Sequence, residues 1–153
     1  MRLFLTVQKE TRTPGAPRAP SIVRWARAAL AGSGRGSAAV TVRLVDVAES
    51  ATLNKRYRGK RGSTNVLSFT YDLAPGARGL SGDLVICAPV VVREAARLGL
   101  PPRAHWAHLV VHGILHLRGY DHAREADAQA MEAVEIRTLK RLGYQNPYDR
   151  HAR

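Results

Sequence analysis

Apolar and polar positions in this chain follow two periods. Residues 3–7, 39–45, 66–69 and 83–87 are short apolar or alternating runs rich in β-branched members, and the second reads AVTVRLV. Such runs predict strands. Between them the period lengthens. Ile22, Trp25, Ala26 and Ala29 recur at helical spacing, predicting a helix from an N-cap at Ser21 through Leu30. A short helix is expected over 48–56 with Leu53 inward. Another spans 89–98, with Pro89 in its first turn, where a missing N–H is harmless. A last helix spans 124–142, with Glu125 and Asp127 at its start and Lys140 and Arg141 at its end, the order the helix dipole favours. Residues 11–20, with three prolines and a glycine, and the GSGRGS stretch over 32–37 predict loops. Residues 72–81 predict a hairpin-like excursion, and 144–153 a loosely held polar tail.

One helical stretch breaks the usual two-sided pattern. Over 106–117, Trp106, Leu109, Val110, Val111, Ile114, Leu115 and Leu117 cover nearly the whole circumference, as in a buried helix. Its main polar stripe is His105, His108, His112 and His116, and imidazoles inside a core need hydrogen-bond partners or a metal. Pro101 and Pro102 open this helix, Gly119 ends it, and the turn through Tyr120 and Asp121 returns His122 towards it. The predicted architecture is one α/β (α+β) domain over 1–153, with a mixed sheet of about four strands packed with helices, the histidine helix among them.

Composition changes this picture in one respect. Of 153 residues, 24 are Lys or Arg and 12 Asp or Glu, a formal net charge of +12. That surplus favours a polyanionic partner, nucleic acid or an anionic membrane surface. Genome-wide arginine bias gives the same excess, and composition alone leaves both readings open. Cys87 is the only cysteine, so no intramolecular disulfide forms, which fits a reducing compartment. The apolar run near the N-terminus is shorter than a signal-peptide core, and no stretch reaches transmembrane length. The expected location is cytoplasmic.

The histidines carry the chemistry. His112 and His116, four apart on a helix, lie one turn from each other, and neutral imidazoles suit zinc. With Gly119 and His122 the spacing is that of the metzincin zinc signature H-E-x-x-H-x-x-G-x-x-H. Gly113 stands where that signature places the general-base glutamate, so the metal cage is kept and the peptidase base is not. Met131 falls in a predicted helix and reads as core. His108 lies two turns from His116, about 12 Å along the axis, too far to share one ion. His105 and His108 therefore read as supports behind the ligands or as paired core groups. Asp121 is either a carboxylate orienting a ligand imidazole or a turn residue. Three neutral ligands leave the ion its full charge and an open position, which suits an anionic substrate such as a phosphodiester.

HGILHLRGYDH resembles the H-G-x-L-H-L-x-G-Y-D-H signature of the YbeY family, bacterial metal-dependent endoribonucleases that act as ribosomal RNA maturation factors. Asn54 through Lys60, then Thr64 through Phe69, are similar to the family's N-x-x-Y-R-x-K-D-x-P-T-D/N-V-L-S-F stretch, and Gly82 through Ile86 to its G-D-I-x-I segment. Arg61 and Ser63 depart from it, only within 56–64, RYRGKRGST, which predicts a basic, glycine-bearing loop. The resemblance implies a zinc-type site at His112, His116 and His122, with another divalent transition metal as an alternative, and a functional Arg58. It also implies single-strand-specific RNA cleavage in small-subunit rRNA maturation and ribosome quality control. RNA, the ribosome or its precursors are then the expected partners, with neither a membrane nor DNA expected. The competing expectations are a non-cleaving RNA-binding assembly factor with a bound metal, and a zinc peptidase, which Gly113 disfavours.

Overall fold

Why the chain buries a histidine-bearing helix follows from how its elements stack. The computed structural model describes residues 1–149. His151, to which the sequence assigns no role, lies outside the described residues. The elements follow in the order β1 (Arg2–Lys9), α1 (Ala19–Leu30), β2 (Ser37–Val45), α2 (Val47–Arg58), β3 (Val66–Thr70), β4 (Leu80–Cys87), α3 (Ala88–Leu98), α4 (Pro102–Leu117) and α5 (Glu125–Arg141). The sheet runs β1-β2-β4-β3, with β1, β2 and β4 parallel and β3 antiparallel on the edge. This is the expected α/β domain with a four-stranded mixed sheet. Among the described residues no helix is long and apolar enough to cross a membrane.

Helix α4 is sandwiched against the sheet. Val110, Ile114 and Leu115 of α4 join Ile22, Trp25 and Leu30 of α1 with Val42, Leu44, Leu84 and Ile86 of the strands in one buried cluster. Val45, Leu67 and Val85 form a smaller cluster on the other sheet face, with Leu53 of α2 and Phe69 packed on it. The α4–β4 contact is close because it uses glycine. A Cβ on Gly113 would lie 2.8 Å from Leu84 Cδ2 and 3.1 Å from Leu84 Cδ1, inside normal contact distance. Met131 is buried, as expected of a core residue.

Three expectations shift. Helix α1 begins at Ala19, not after a Ser21 cap, because Pro20 is well placed in a first turn. Ser21 Oγ instead accepts a hydrogen bond from Arg103 Nη2 at 2.8 Å. Strand β4 starts at Leu80 rather than Asp83, because Leu80, Ser81 and Gly82 pair with Ala38, Ala39 and Val40 of β2. The tail is not loosely held over its first residues. Tyr144 packs edge-on to Trp25, with ring centroids 6.5 Å apart, and the Tyr148 hydroxyl donates to Glu135 at 2.8 Å. Aromatic groups docked on the core outweigh the tail's polar composition.

Candidate metal centre and its cleft

Helix α4 distributes its histidines to different neighbours. His105 is buried towards α3, where its Nε2 lies 2.9 Å from Glu94 Oε1. His108, His112 and His116 form the partly exposed stripe, one turn apart. Leu117 completes the helix, and Gly119, at φ +104, makes the turn that a side-chain-bearing residue rarely adopts. The Tyr120 N–H then returns to Leu115 O at 3.0 Å, which aims the following residues back along α4.

This turn brings His122 beside His112 and His116. Ligand-capable atoms of the three lie within 4.8 Å of one another. Ring centroids are 4.7 Å apart for His112–His116, 5.0 Å for His116–His122 and 5.6 Å for His112–His122. Burial, followed by the neighbouring His112 and His122, lowers the His116 pKa below its usual 6.5, against smaller opposing effects of Asp121 and the Tyr120 backbone. A neutral imidazole is the form that binds a metal. The donor set thus fits a single borderline-soft divalent ion with an open coordination position.

Behind the cluster stands a residue the sequence reading missed. Glu135 of α5 is 1% exposed, and its Oε1 accepts from His112 Nδ1 at 2.9 Å. Its Oε2 accepts from His108 Nε2 at 2.6 Å and from the Tyr148 hydroxyl at 2.8 Å. Burial alone would raise the Glu135 pKa, but the hydrogen bonds and charge of His108 and His112 outweigh it and hold the carboxyl at about 2. Burial and the adjacent carboxylate push Tyr148 the other way, so its phenol stays protonated as a donor. An ionised carboxylate only accepts, so His112 must carry its proton on Nδ1, leaving the Nε2 lone pair free for a metal. His108, His112 and Glu135 also come within ligand distance of one another, but their short hydrogen bonds already satisfy these atoms. The signal for Glu135 was available. It lies four residues after Met131 and four before Leu139, an acid on the buried face of a helix. Glu135→Gln is expected to weaken metal affinity by about 10- to 100-fold, the usual effect of losing a carboxylate behind a ligand histidine. Competition with a chelator of known affinity measures this, and unchanged affinity would mean that His112 is oriented by α4 alone.

His108 is thus paired with Glu135, and the buried His105 with Glu94. Asp121 accepts the backbone N–H of His122 through Oδ1 at 2.7 Å, the arrangement of a turn aspartate. Its charge reaches His116, but its hydrogen bond goes to no ligand imidazole.

The cluster opens into a cleft of about 580 Å³, lined also by Asp121, by Tyr57 and Arg58 from the end of α2, and by residues 64–69, which lead into and along edge strand β3. The basic loop that departs from the family pattern is pinned from α2. Asn54 Nδ2 donates to Gly62 O at 2.9 Å, and Ser50 Oγ both donates to Thr64 O at 3.0 Å and accepts from Thr64 N at 3.1 Å. Arg58 sits in the last helical turn before Gly59, with Lys55 and Arg56 near it. Among the described residues its guanidinium makes no ion pair or side-chain hydrogen bond, and its fork of N–H donors suits an anion.

Comparison with known proteins agrees with this geometry. Residues 15–143 match the family model described as Endoribonuclease YbeY. The endoribonuclease YbeY of Methylococcus capsulatus is 54% identical over 145 residues, covering 94% of this chain and 94% of that protein. The corresponding protein of Aromatoleum aromaticum is 53% identical over 150 residues, covering 96% and 93%. The solution structure of TM1509 from Thermotoga maritima shares the fold, with a TM-score of 0.58 at 22% identity over 88% of this chain and 87% of that one. By sequence over nearly its whole length, and by a histidine cluster that its fold assembles from α4 and the turn beyond it, the chain belongs to the YbeY endoribonuclease family.

Proposed function

We propose that this domain, over 1–153, is a single-strand-specific endoribonuclease that acts in the cytoplasm on ribosomal RNA, in small-subunit rRNA maturation and ribosome quality control. His112, His116 and His122 hold one divalent ion, zinc by preference of three imidazoles, and Arg58 acts on the scissile phosphate. The observation that carries this reading is that two charge-stabilising elements line one cleft: a cluster of three histidines and the Arg58 guanidinium. The names of the relatives, at about half identity, support it.

A bound divalent ion would supply Lewis-acid stabilisation of phosphate charge and lower the pKa of a water nucleophile. The chain's own groups do the rest. Arg58 offers parallel N–H donors to two phosphate oxygens, so its guanidinium both orients the phosphodiester and stabilises the charge that builds in the transition state. Glu135 keeps the His112 proton on Nδ1. The +12 surface attracts a polyanion before any of these contacts form. An open cleft disfavours a purely structural ion, since structural sites are normally closed by four protein ligands.

The test combines elemental analysis with cleavage of single-stranded and duplex RNA by native, metal-stripped and zinc-reloaded protein. Cleavage should vanish on stripping and return on reloading. Arg58→Ala should keep its metal yet lose about 10²- to 10³-fold in kcat/KM, the scale of one lost charge-stabilising donor. Loaded protein that binds RNA without turnover would support a non-cleaving assembly factor instead.

A further inference from the structure

The cleft has an aromatic feature that phosphate chemistry does not use. Trp25 and Trp106 are buried, and Tyr120 and Tyr144 pack against the core. Tyr57 is different: it lines the cleft yet is 57% exposed. Its position is nonetheless fixed. It follows Leu53 by one helical turn, and its ring stands at 72° to that of Phe69 with centroids 5.1 Å apart. The Arg56 guanidinium lies over the ring, 5.4 Å from its centroid. An exposed ring braced on one edge, beneath a long exposed side chain, is a platform for one flat aromatic group.

The geometry points to Tyr57 as a nucleobase-stacking subsite, with Phe69 bracing it and Arg56 as the upper jaw, for one unpaired base of the RNA strand whose phosphate Arg58 receives. This rests on the RNA reading above and adds to it the element that selects single strands. Adjacent residues serve adjacent parts of one nucleotide unit: Tyr57 takes a base and Arg58 a phosphate, both at the end of α2 and both on the cleft wall. Two van der Waals spacings separate a ring from a guanidinium that sandwiches a base, about 7 Å. Arg56, exposed and long, need move out by less than about 2 Å from its present 5.4 Å to admit one. A base within a duplex has both faces covered by its neighbours and cannot stack here, whereas an unstacked base can. Every base has a π-face, so the subsite takes any of the four and contributes strand selection rather than sequence readout.

The experiment uses zinc-loaded protein and a short oligoribonucleotide carrying 2-aminopurine at each position in turn, with quenching and binding read by stopped flow before turnover. One position should show fluorescence quenching on binding. Tyr57→Leu should abolish that quenching and weaken binding about 5- to 100-fold, the span reported by alanine substitution at stacking residues. Tyr57→Trp should retain both. An abasic residue at the quenched position should make wild type and Tyr57→Leu bind equally, a result that a merely structural role for Tyr57 would not give. Melting temperatures should agree across the variants, since more than half of the side chain is in solvent. Quenching and affinity that survive Tyr57→Leu overturn the subsite while leaving RNA cleavage intact. Failure of the wild-type protein to bind the oligonucleotide at all overturns the RNA reading itself.

Discussion

Purified His116→Ala is expected to retain the fold while losing both its bound metal and its RNA cleavage, the latter by more than about 10³-fold. Removing one of three candidate ligands leaves only His112 and His122, and two monodentate imidazoles cannot hold an ion against dialysis with a chelator. The fold should survive because His116 belongs to the cleft-facing stripe of α4, whereas the apolar residues around it are buried. Metal content by elemental analysis, melting temperature and cleavage rate together read this result; intact cleavage by a metal-free, folded variant would remove the cluster from the mechanism. The pH dependence has a definite sign. His116 has its pKa lowered by burial and by its two histidine neighbours, so the unfolded chain binds a proton there more tightly than the folded one. Its contribution to stability is present above the usual 6.5 and is lost as pH falls below that value. Metal retention should rise with pH in the same range, because protons compete for the ligand atoms.

Gly113→Glu, which restores the glutamate of a peptidase signature, is expected to fail to fold or to melt at least about 10 °C lower, a loss of about 3–5 kcal/mol on the scale of a domain this size. The cause is packing. The first atom of any side chain at 113 would meet Leu84 Cδ2 at 2.8 Å, and Leu84 is fully buried in the sheet. Overpacking of this kind costs about 1–3 kcal/mol by itself, before the desolvation of a carboxylate between α4 and β4. Gly113→Ala isolates the steric part, partly offset by the better helix propensity of alanine. A stable Gly113→Glu protein, melting with the wild type, would show that α4 can move off the sheet. Proteolysis by that protein, abolished with a chelator, would then reopen the peptidase reading. As the structure stands, a side chain at position 113 has room only if the buried Leu84 shifts.

The resemblance and the physical pattern together made much of the site legible. The His112, His116, Gly119 and His122 spacing is a local code: helix pitch fixes the first two, and one glycine turn returns the third. Periodicity placed all four strands and all five helices, with errors of a few residues at the starts of α1 and β4. Those ends depend on strand pairing and on which turn accommodates a proline, and neither is encoded by the local period.

The sequence by itself determined the spacing that gathers the three histidines, the buried character of α4, the strand and helix set, and the basic surplus, because each depends on residue type and short-range spacing. Only the tertiary structure decided what stands beside and behind the three histidines. Glu135 reaches His112 from a helix 23 residues further along the chain, and Tyr148 reaches Glu135 from a tail whose composition is polar. Arg58 and Tyr57 line one cleft with the histidines and with edge strand β3, and Gly113 meets Leu84 between helix and sheet. These contacts join residues far apart in sequence, and their distances follow from how the layers close on one another rather than from any pattern along the chain.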